Sequence, residues 1–363
     1  QIAGVPSDFP DYTVTASGTP KPGVVCMAAD ASDGRPSYLI VTDQVGKPQY
    51  YKRLSSPGYD LQRHTAPDGS VRYSYMQEDG PQLSGVATFL GEVHLLDGQY
   101  HELKTLSLLP YGDHGALPAD LHDFVYLDDN HYILLSSEQK QVTNIPFLPG
   151  KTSTVSASII QEVDNGQVVF DWDSTQHPEF YANSSDGNDF TDGTKPIADY
   201  MHMNSVCVDP KDDDLIVSFR HQDQIVKLDR KTGAILWRLG GRDGDFPLTP
   251  DQRFSHQHYV RVQPDGSLTL FDNGNASQHT RLLTFKLDET AHSVTSFQAI
   301  DPSRYTVAMG SYQPFDGDTY FVGWGAKTTG TTDAEEVTDG VPTFTLTFDD
   351  PAYSSYRALK YLN

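Results

Sequence analysis

The chain has 363 residues, with 49 acidic against 26 basic side chains, a net charge of −23, 11% aromatic residues and only 2 Cys. The aromatic content argues against disorder. The charge argues against nucleic-acid binding through the overall field, and two cysteines make neither a disulfide scaffold nor a four-cysteine zinc site. No apolar run approaches the ~20 residues of a membrane-spanning helix, so no membrane and no nucleic-acid partner is expected.

From its start the chain reads Gln1-Ile2-Ala3, with neither Met nor a signal peptide. A mature exported protein reads this way, and a secreted or periplasmic location is the expectation. Cys26 and Cys207 could pair in such a compartment. Asn183-Ser184-Ser185 and Asn275-Ala276-Ser277 would there be acceptor triplets for N-glycosylation.

Helical periodicity is scarce along the chain. Short alternating apolar runs are punctuated by Gly, Pro, Asn and Asp, the pattern of strands and tight turns. One unit recurs: a short strand, an acidic or Asp-Gly turn, then a second strand. It appears at Val24–Asp43 around Asp33-Gly34, at Arg63–Tyr75 around Asp68-Gly69, and at Leu121–Ser137 around Asp128 to Asn130. It returns at Met201–Arg220 around Asp212 to Asp214, at Gln257–Asn273 around Asp265-Gly266, and at Tyr312–Gly325 around Asp316 to Asp318. Second hairpins follow, at Ile160–Trp172 and Ile225–Trp237. Four-stranded units repeated six times predict an all-β fold, a six-bladed β-propeller occupying residues 1–363 as one domain. An all-β sandwich is the competing architecture, but it gives no reason to repeat one hairpin. Two long connections, Gln139–Ser156 and Asp173–Tyr200, read as functional excursions.

Aligned by their first strands, three units carry a histidine at one place: His122, His202 and His258. Equivalent positions in successive blades should bring these imidazoles together. The sixth unit has Gln313 there, and His64 lies near the place in the second. His101, His131, His279 and His292 read as bystanders. Arg220 follows the strand Leu215–Ser218, and a guanidinium beside imidazoles suits an oxyanion. Zinc is the rival ligand for three histidines. The absence of an H-E-x-x-H motif and the nearby Arg220 count against it, so neither a metal nor a cofactor is expected.

At these residues the sequence resembles the arylsulfotransferase family, enzymes that use no nucleotide sulfate donor. The resemblance runs through Asp120–Phe124, Gln161–Asp164, Phe170–Trp172, Asp199–Val206, Ile216–Gln222, Lys227–Gly241 and Gln257-His258. It continues through Leu270–Gly274, Gly323–Gly325 and Ser355–Ala358, and is best over 120–360. It implies a six-bladed propeller with a funnel-like site and a small phenolic or aryl sulfate substrate. It also implies sulfuryl transfer from a phenolic sulfate ester to a phenol through a sulfohistidine at His258, with His122, His202 and Arg220 in support. In this scheme Arg220 and His202 hold the sulfuryl oxygens, and His122 handles the protons. Asn204, His256 and Tyr259 are candidate substrate-binding residues, and His256 is a second candidate nucleophile. Tyr259 stands where the family often has an acidic residue. A pericyclic or elimination step on a natural product in the same scaffold is an alternative, and a non-catalytic binding propeller is another.

Overall fold

The computed structural model describes residue 2 and residues 4–190, 197–326 and 331–363. Among these residues there is no α-helix; the chain is strand, turn and four one-turn 3-10 segments. The strands form six antiparallel sheets of four or five strands, the six blades of a β-propeller. Every repeated hairpin read from the sequence falls in a different sheet. Val24–Asp43, for example, is the pair Gly23–Ala31 and Tyr38–Asp43, and Met201–Arg220 is the pair Met203–Val208 and Leu215–Phe219.

The chain divides into two compact units. The first comprises residues 1–78, 94–105 and 304–363. In it the C-terminal strand Tyr353–Leu362 pairs with Gly23–Ala31, with Gly23 opposite Leu362. The N-terminal strand Tyr12–Ala16 pairs with Val341–Phe348. Both chain ends are thus tied into sheets by strands distant in sequence. Two of its polar pairs are fully buried: Arg357 Nη1 lies 3.0 Å from Asp60 Oδ1, and Lys360 meets Glu336. Here Gln313 and Lys360 exchange side-chain and backbone hydrogen bonds, and His64 bonds Ser74.

The second unit comprises residues 79–93 and 106–303. It holds three whole sheets, built from strands at 124–173, 203–240 and 258–300. The strand Leu215–Phe219 shows why its sequence is almost wholly apolar, with Ser218 its one polar residue. Successive side chains point to opposite faces. Leu215, Val217 and Phe219 pack with Ile160 and Trp172 of the preceding sheet, whereas Ile216 packs with Val260 and Leu270 of the next. Both faces are covered, so the strand does not alternate, and the buried Ser218 hydroxyl is taken up by the Gln257 amide.

The long connections differ from their sequence reading. Both ends of Gln139–Ser156 are strand, because His131–Val142 and Ser153–Asp164 stay paired out to Val142 opposite Ser153. The connecting stretch shrinks to residues 143–152. The connection 173–200 is irregular, with 3-10 turns at Ser174–Gln176 and Pro178–Ala182; its residues 191–196 lie outside the described residues. Cys26 and Cys207 are free thiols. No helix among the described residues is long and apolar enough to cross a membrane.

Candidate functional site

Buried hydrogen bonds stitch the three sheets of the second unit together where the histidines stand. Asp123, fully buried, accepts from the backbone N–H of Val206 at 2.9 Å and from Arg261 at 2.8 Å. The Asn204 amide donates to the Gln257 carbonyl at 2.7 Å, and Val260 N–H donates to Ser205 Oγ at 3.1 Å. Gln257 in turn donates to Ser218 Oγ. Residues next to each histidine therefore fix one sheet against the next.

The backbone departs from regular strand geometry at the same places. Pairing slips between Met203 and Ser205 and between His258 and Arg261. His202, His256 and Tyr259 have φ of 50°, 56° and 49°, in the left-handed region that side-chain-bearing residues rarely adopt. Bulges of this kind turn side chains that regular pleating would bury in the sheet, and such strain is held only where packing over-determines it.

His122, His202 and His258 are all buried. The rings of His122 and His202 meet edge to face, with centroids 5.0 Å apart and planes at 75°. Each of the three holds its Nδ1 on an acceptor. His122 Nδ1 is bonded to the buried carboxylate of Asp120, which also takes the Ser137 hydroxyl at 3.0 Å. His202 Nδ1 lies 2.7 Å from Asp199 Oδ2. His258 Nδ1 lies 2.6 Å from Asn273 Oδ1 and 3.1 Å from the carbonyl oxygen of His256. A backbone carbonyl only accepts, so His258 Nδ1 carries the hydrogen. Burial, then the Arg220 charge, hold His258 well below the ordinary histidine pKa. The ring is therefore neutral, and its lone pair is on Nε2. Burial, then His122 and Arg220, act on His202 in the same direction.

Arg220 opens a 3-10 turn immediately after the strand Leu215–Phe219, and its N–H bonds the carbonyl of His202. Its charge bears on His202, His221, His256 and His258 alike. The four residues expected to act together are thus in one electrostatic neighbourhood.

The remaining candidates sit differently. The side chain of Asn204 is engaged with Gln257, as a brace between sheets. Tyr259 is buried, with the Arg261 guanidinium 4.1 Å above its ring. His256 is half-buried between two carboxylates: Asp223 Oδ1 lies 3.1 Å from its Nδ1 and Asp186 Oδ2 lies 3.6 Å from its Nε2. Burial works against a charge on His256, but these carboxylates outweigh it and raise its pKa. The surroundings thus favour a charge on His256 and oppose one on His258.

Sequence reasoning missed the partners. Asp120, Asp199 and Asn273 lay inside the quoted stretches, two residues before His122, three before His202 and across the hairpin from His258. His221 was also missed. Its ring stands 4.5 Å from that of His202, and burial and His202 push its pKa down to about 4. Gly187 explains part of this packing. Its φ is +62°, and a Cβ there would meet the Asp199 carbonyl and come within 3.0 Å of His221 Nδ1. Asp199, His202 and His221 each offer one ligand atom within 4.8 Å of the others. Two of those atoms stand at hydrogen-bond distance, and the Arg220 charge works against a cation among them.

Fold and site together describe a β-propeller whose buried imidazoles surround an arginine, an arrangement suited to an anionic group. The profile of the arylsulfotransferase (ASST) family matches residues 37–356, and the chain belongs to that family. The match reaches back into the first repeat, well before residue 120. Arylsulfate sulfotransferase AssT of Escherichia coli O6:H1 is 27% identical over an aligned stretch covering 28% of this chain and 23% of that protein. The aligned stretch is thus about a quarter of that relative's length. Among solved structures, a protein of unknown function from Bacteroides caccae matches with a TM-score of 0.53 and 10% identity, covering 94% of this chain and 100% of the other. TolB from Acinetobacter baumannii matches with a TM-score of 0.50 and 11% identity, covering 92% and 67%. These two show the fold alone.

Proposed function

We propose that this protein is a nucleotide-independent aryl sulfotransferase that moves a sulfuryl group from a phenolic sulfate ester to a phenol, through a sulfohistidine at His258. The observation that carries this reading is the state of His258. It is a neutral, buried imidazole with Nδ1–H engaged and the lone pair on Nε2, beside the positive charge of Arg220. A sulfate ester's sulfur is shielded by anionic oxygens, so attack needs an uncharged nucleophile and a positive group on those oxygens. In the first half-reaction the Nε2 pair forms an N–S bond as the aryl S–O bond breaks. In the second, the acceptor oxygen attacks sulfur and the N–S pair returns to Nε2.

Arg220 is the group that holds the sulfuryl oxygens, by a planar fork matched to an oxyanion. His202 departs from its expected part in that task. With Nδ1–H on Asp199 and a depressed pKa, it offers a lone pair, not a donor. His122 and His202, each backed by a carboxylate, act as the acid–base pair that protonates the leaving phenolate and deprotonates the incoming phenol. Between two carboxylates, His256 has no free-base role and is not the nucleophile.

The test is incubation with 4-nitrophenyl sulfate and a phenol. Nitrophenolate release that requires the phenol, with a sulfated peptide containing His258, is expected. His258→Ala should form no sulfated peptide, whereas His256→Gln should still form it at reduced rate. No release from a panel of aryl sulfates, or sulfation retained in His258→Ala, overturns the reading.

A further inference from the structure

The three buried histidines do not have like partners at Nδ1. His122 and His202 have carboxylates, from Asp120 and Asp199. His258 alone has a neutral amide: Asn273 Oδ1 at 2.6 Å, with the His256 carbonyl at 3.1 Å. Asn273 is fully buried and follows the strand Leu268–Asp272, whose Phe271 stands opposite His258. Its placement is fixed on both sides. Thr280 Oγ1 donates to the Asn273 carbonyl at 3.1 Å. The next residue, Gly274, has φ of +64° and no room for a Cβ, which would meet the His279 carbonyl and Ser277 Oγ. The neutral partner is therefore held in place by a turn that requires glycine at 274.

The difference has a chemical consequence once the N–S bond exists. A ring sulfated at Nε2 and still carrying Nδ1–H is an imidazolium. Its N–S pair returns to a positive ring, so neutral imidazole is the leaving group when the acceptor attacks. If Nδ1 gives up its hydrogen, the ring is a neutral N-sulfonate, and the leaving group would be an imidazolide, far more basic and far slower to leave. A carboxylate at Nδ1 would take that hydrogen from the cationic ring. An amide oxygen orients it and cannot accept it.

We propose that Asn273 is a positioning residue that keeps Nδ1 of sulfated His258 protonated and so keeps the sulfuryl group transferable. This rests on His258 being the nucleophile, as proposed above. Sulfur and protons balance without a co-reactant: one S–O bond is exchanged for one N–S bond and back, and Nδ1–H is retained throughout.

The experiment separates the half-reactions in rapid-mixing measurements with 4-nitrophenyl sulfate. Asn273→Asp should still give a burst of nitrophenolate but pass its sulfuryl group to the phenol on the order of a hundredfold more slowly, so that sulfated His258 accumulates. Asn273→Ala, which loses orientation but adds no base, should slow the burst without accumulating the intermediate. Asn273→Gln tests position alone and should behave as Asn273→Ala, not as Asn273→Asp. Equal slowing of both half-reactions in Asn273→Asp, or no accumulation, overturns the proposal. A parent protein with no burst and no sulfated His258 overturns the sulfotransferase reading itself, which is a different result.

Discussion

His122 and His202 lie edge to face with ring centroids 5.0 Å apart, each with its Nδ1 on a buried carboxylate. Two imidazolium charges at this distance repel, and His122 is the second largest cause, after burial, of the depressed pKa of His202. A charge on His122 therefore works against a charge on His202. Replacing His122 by Gln removes that repulsion, so the pKa of His202 should rise. It should also lower turnover by about 10²–10⁴, the usual worth of a positioned acid–base group. Imidazole proton resonances followed against pH check the first expectation, and steady-state kinetics the second. An unmoved His202 titration would show that the two rings are not coupled.

Arg220 acts on His202 as well, and on His258. Its charge is the second largest cause of the depressed pKa of His258 and the third for His202. Arg220→Ala should then do two things. It should cost on the order of 10²–10³ in kcat through the lost oxyanion contact. It should also move the acid limb of the pH–rate profile upward, because both imidazoles become easier to protonate. Arg220→Lys keeps a charge but loses the fork. It should leave the limb nearly in place while still lowering kcat. A loss of rate with no shift in Arg220→Ala would mean that the guanidinium is not near His258 in solution.

Much of this was legible in the sequence, for reasons that mark where legibility ends. The six hairpins were visible because each needs Asp or Gly at its turn, and those residues stand in line. The register of His122, His202 and His258 was visible because repetition puts like positions together. Asp120 and Asp199 stood beside two of them, but which carboxylate reaches which Nδ1 depends on the bend before each strand, at His202 with φ of 50°. Asn273 was further out of reach. Its contact follows from a hairpin register that slips between His258 and Arg261, and no local pattern encodes that slip. The connection 139–156 is shorter than its composition suggests, because Gln139–Val142 and Ser153–Ser156 extend the two inner strands of their sheet, where polar residues do not signal a loop.

Burying neutral histidines has a cost in acid. His202, His221 and His258 have folded pKa values below the ordinary 6.5, that of His221 at about 4. Between the folded and unfolded values the unfolded chain binds more protons, so stability rises with pH and is lost as pH falls from about 6.5 toward 4. His256 has the opposite sign. Its raised pKa adds stability that is present below 6.5 and lost as pH rises through the folded value. The three depressed groups act against the one raised group, so acidification should lower stability on balance. Urea unfolding midpoints between about pH 7 and about pH 4.5 measure it. His221→Phe, which removes one of the three, should flatten the dependence. A midpoint that does not fall in this window contradicts the buried neutral assignment.

Lys227 gives the sharpest stability test, because its buried ammonium is shared by three carboxylates. Its side chain is only 1% exposed, and Nζ lies 2.8 Å from Asp209 Oδ2, 2.6 Å from Asp212 Oδ2 and 2.8 Å from Glu289 Oε2. Glu289 also accepts from Trp237 Nε1 at 2.9 Å. Burial alone would raise the pKa of Glu289, but the bonds from Lys227, Trp237 and Lys211 bring it down to about 2. Lys227→Met fills a similar volume and leaves three carboxylates without their cation. Breaking a buried pair this way costs about 3–5 kcal/mol, and partial exposure of Asp212 and Glu289 places the loss near the lower end. The pH dependence identifies the cause. In the parent, the contribution of Glu289 is complete above its ordinary value of 4.5 and disappears as pH falls through about 2. In the variant the carboxylates protonate more readily and relieve their own repulsion. The stability gap between parent and variant should therefore be widest near neutral pH and narrow steadily below about pH 4.5. A gap independent of pH would mean that Lys227 contributes by packing its aliphatic stem and not by its charge.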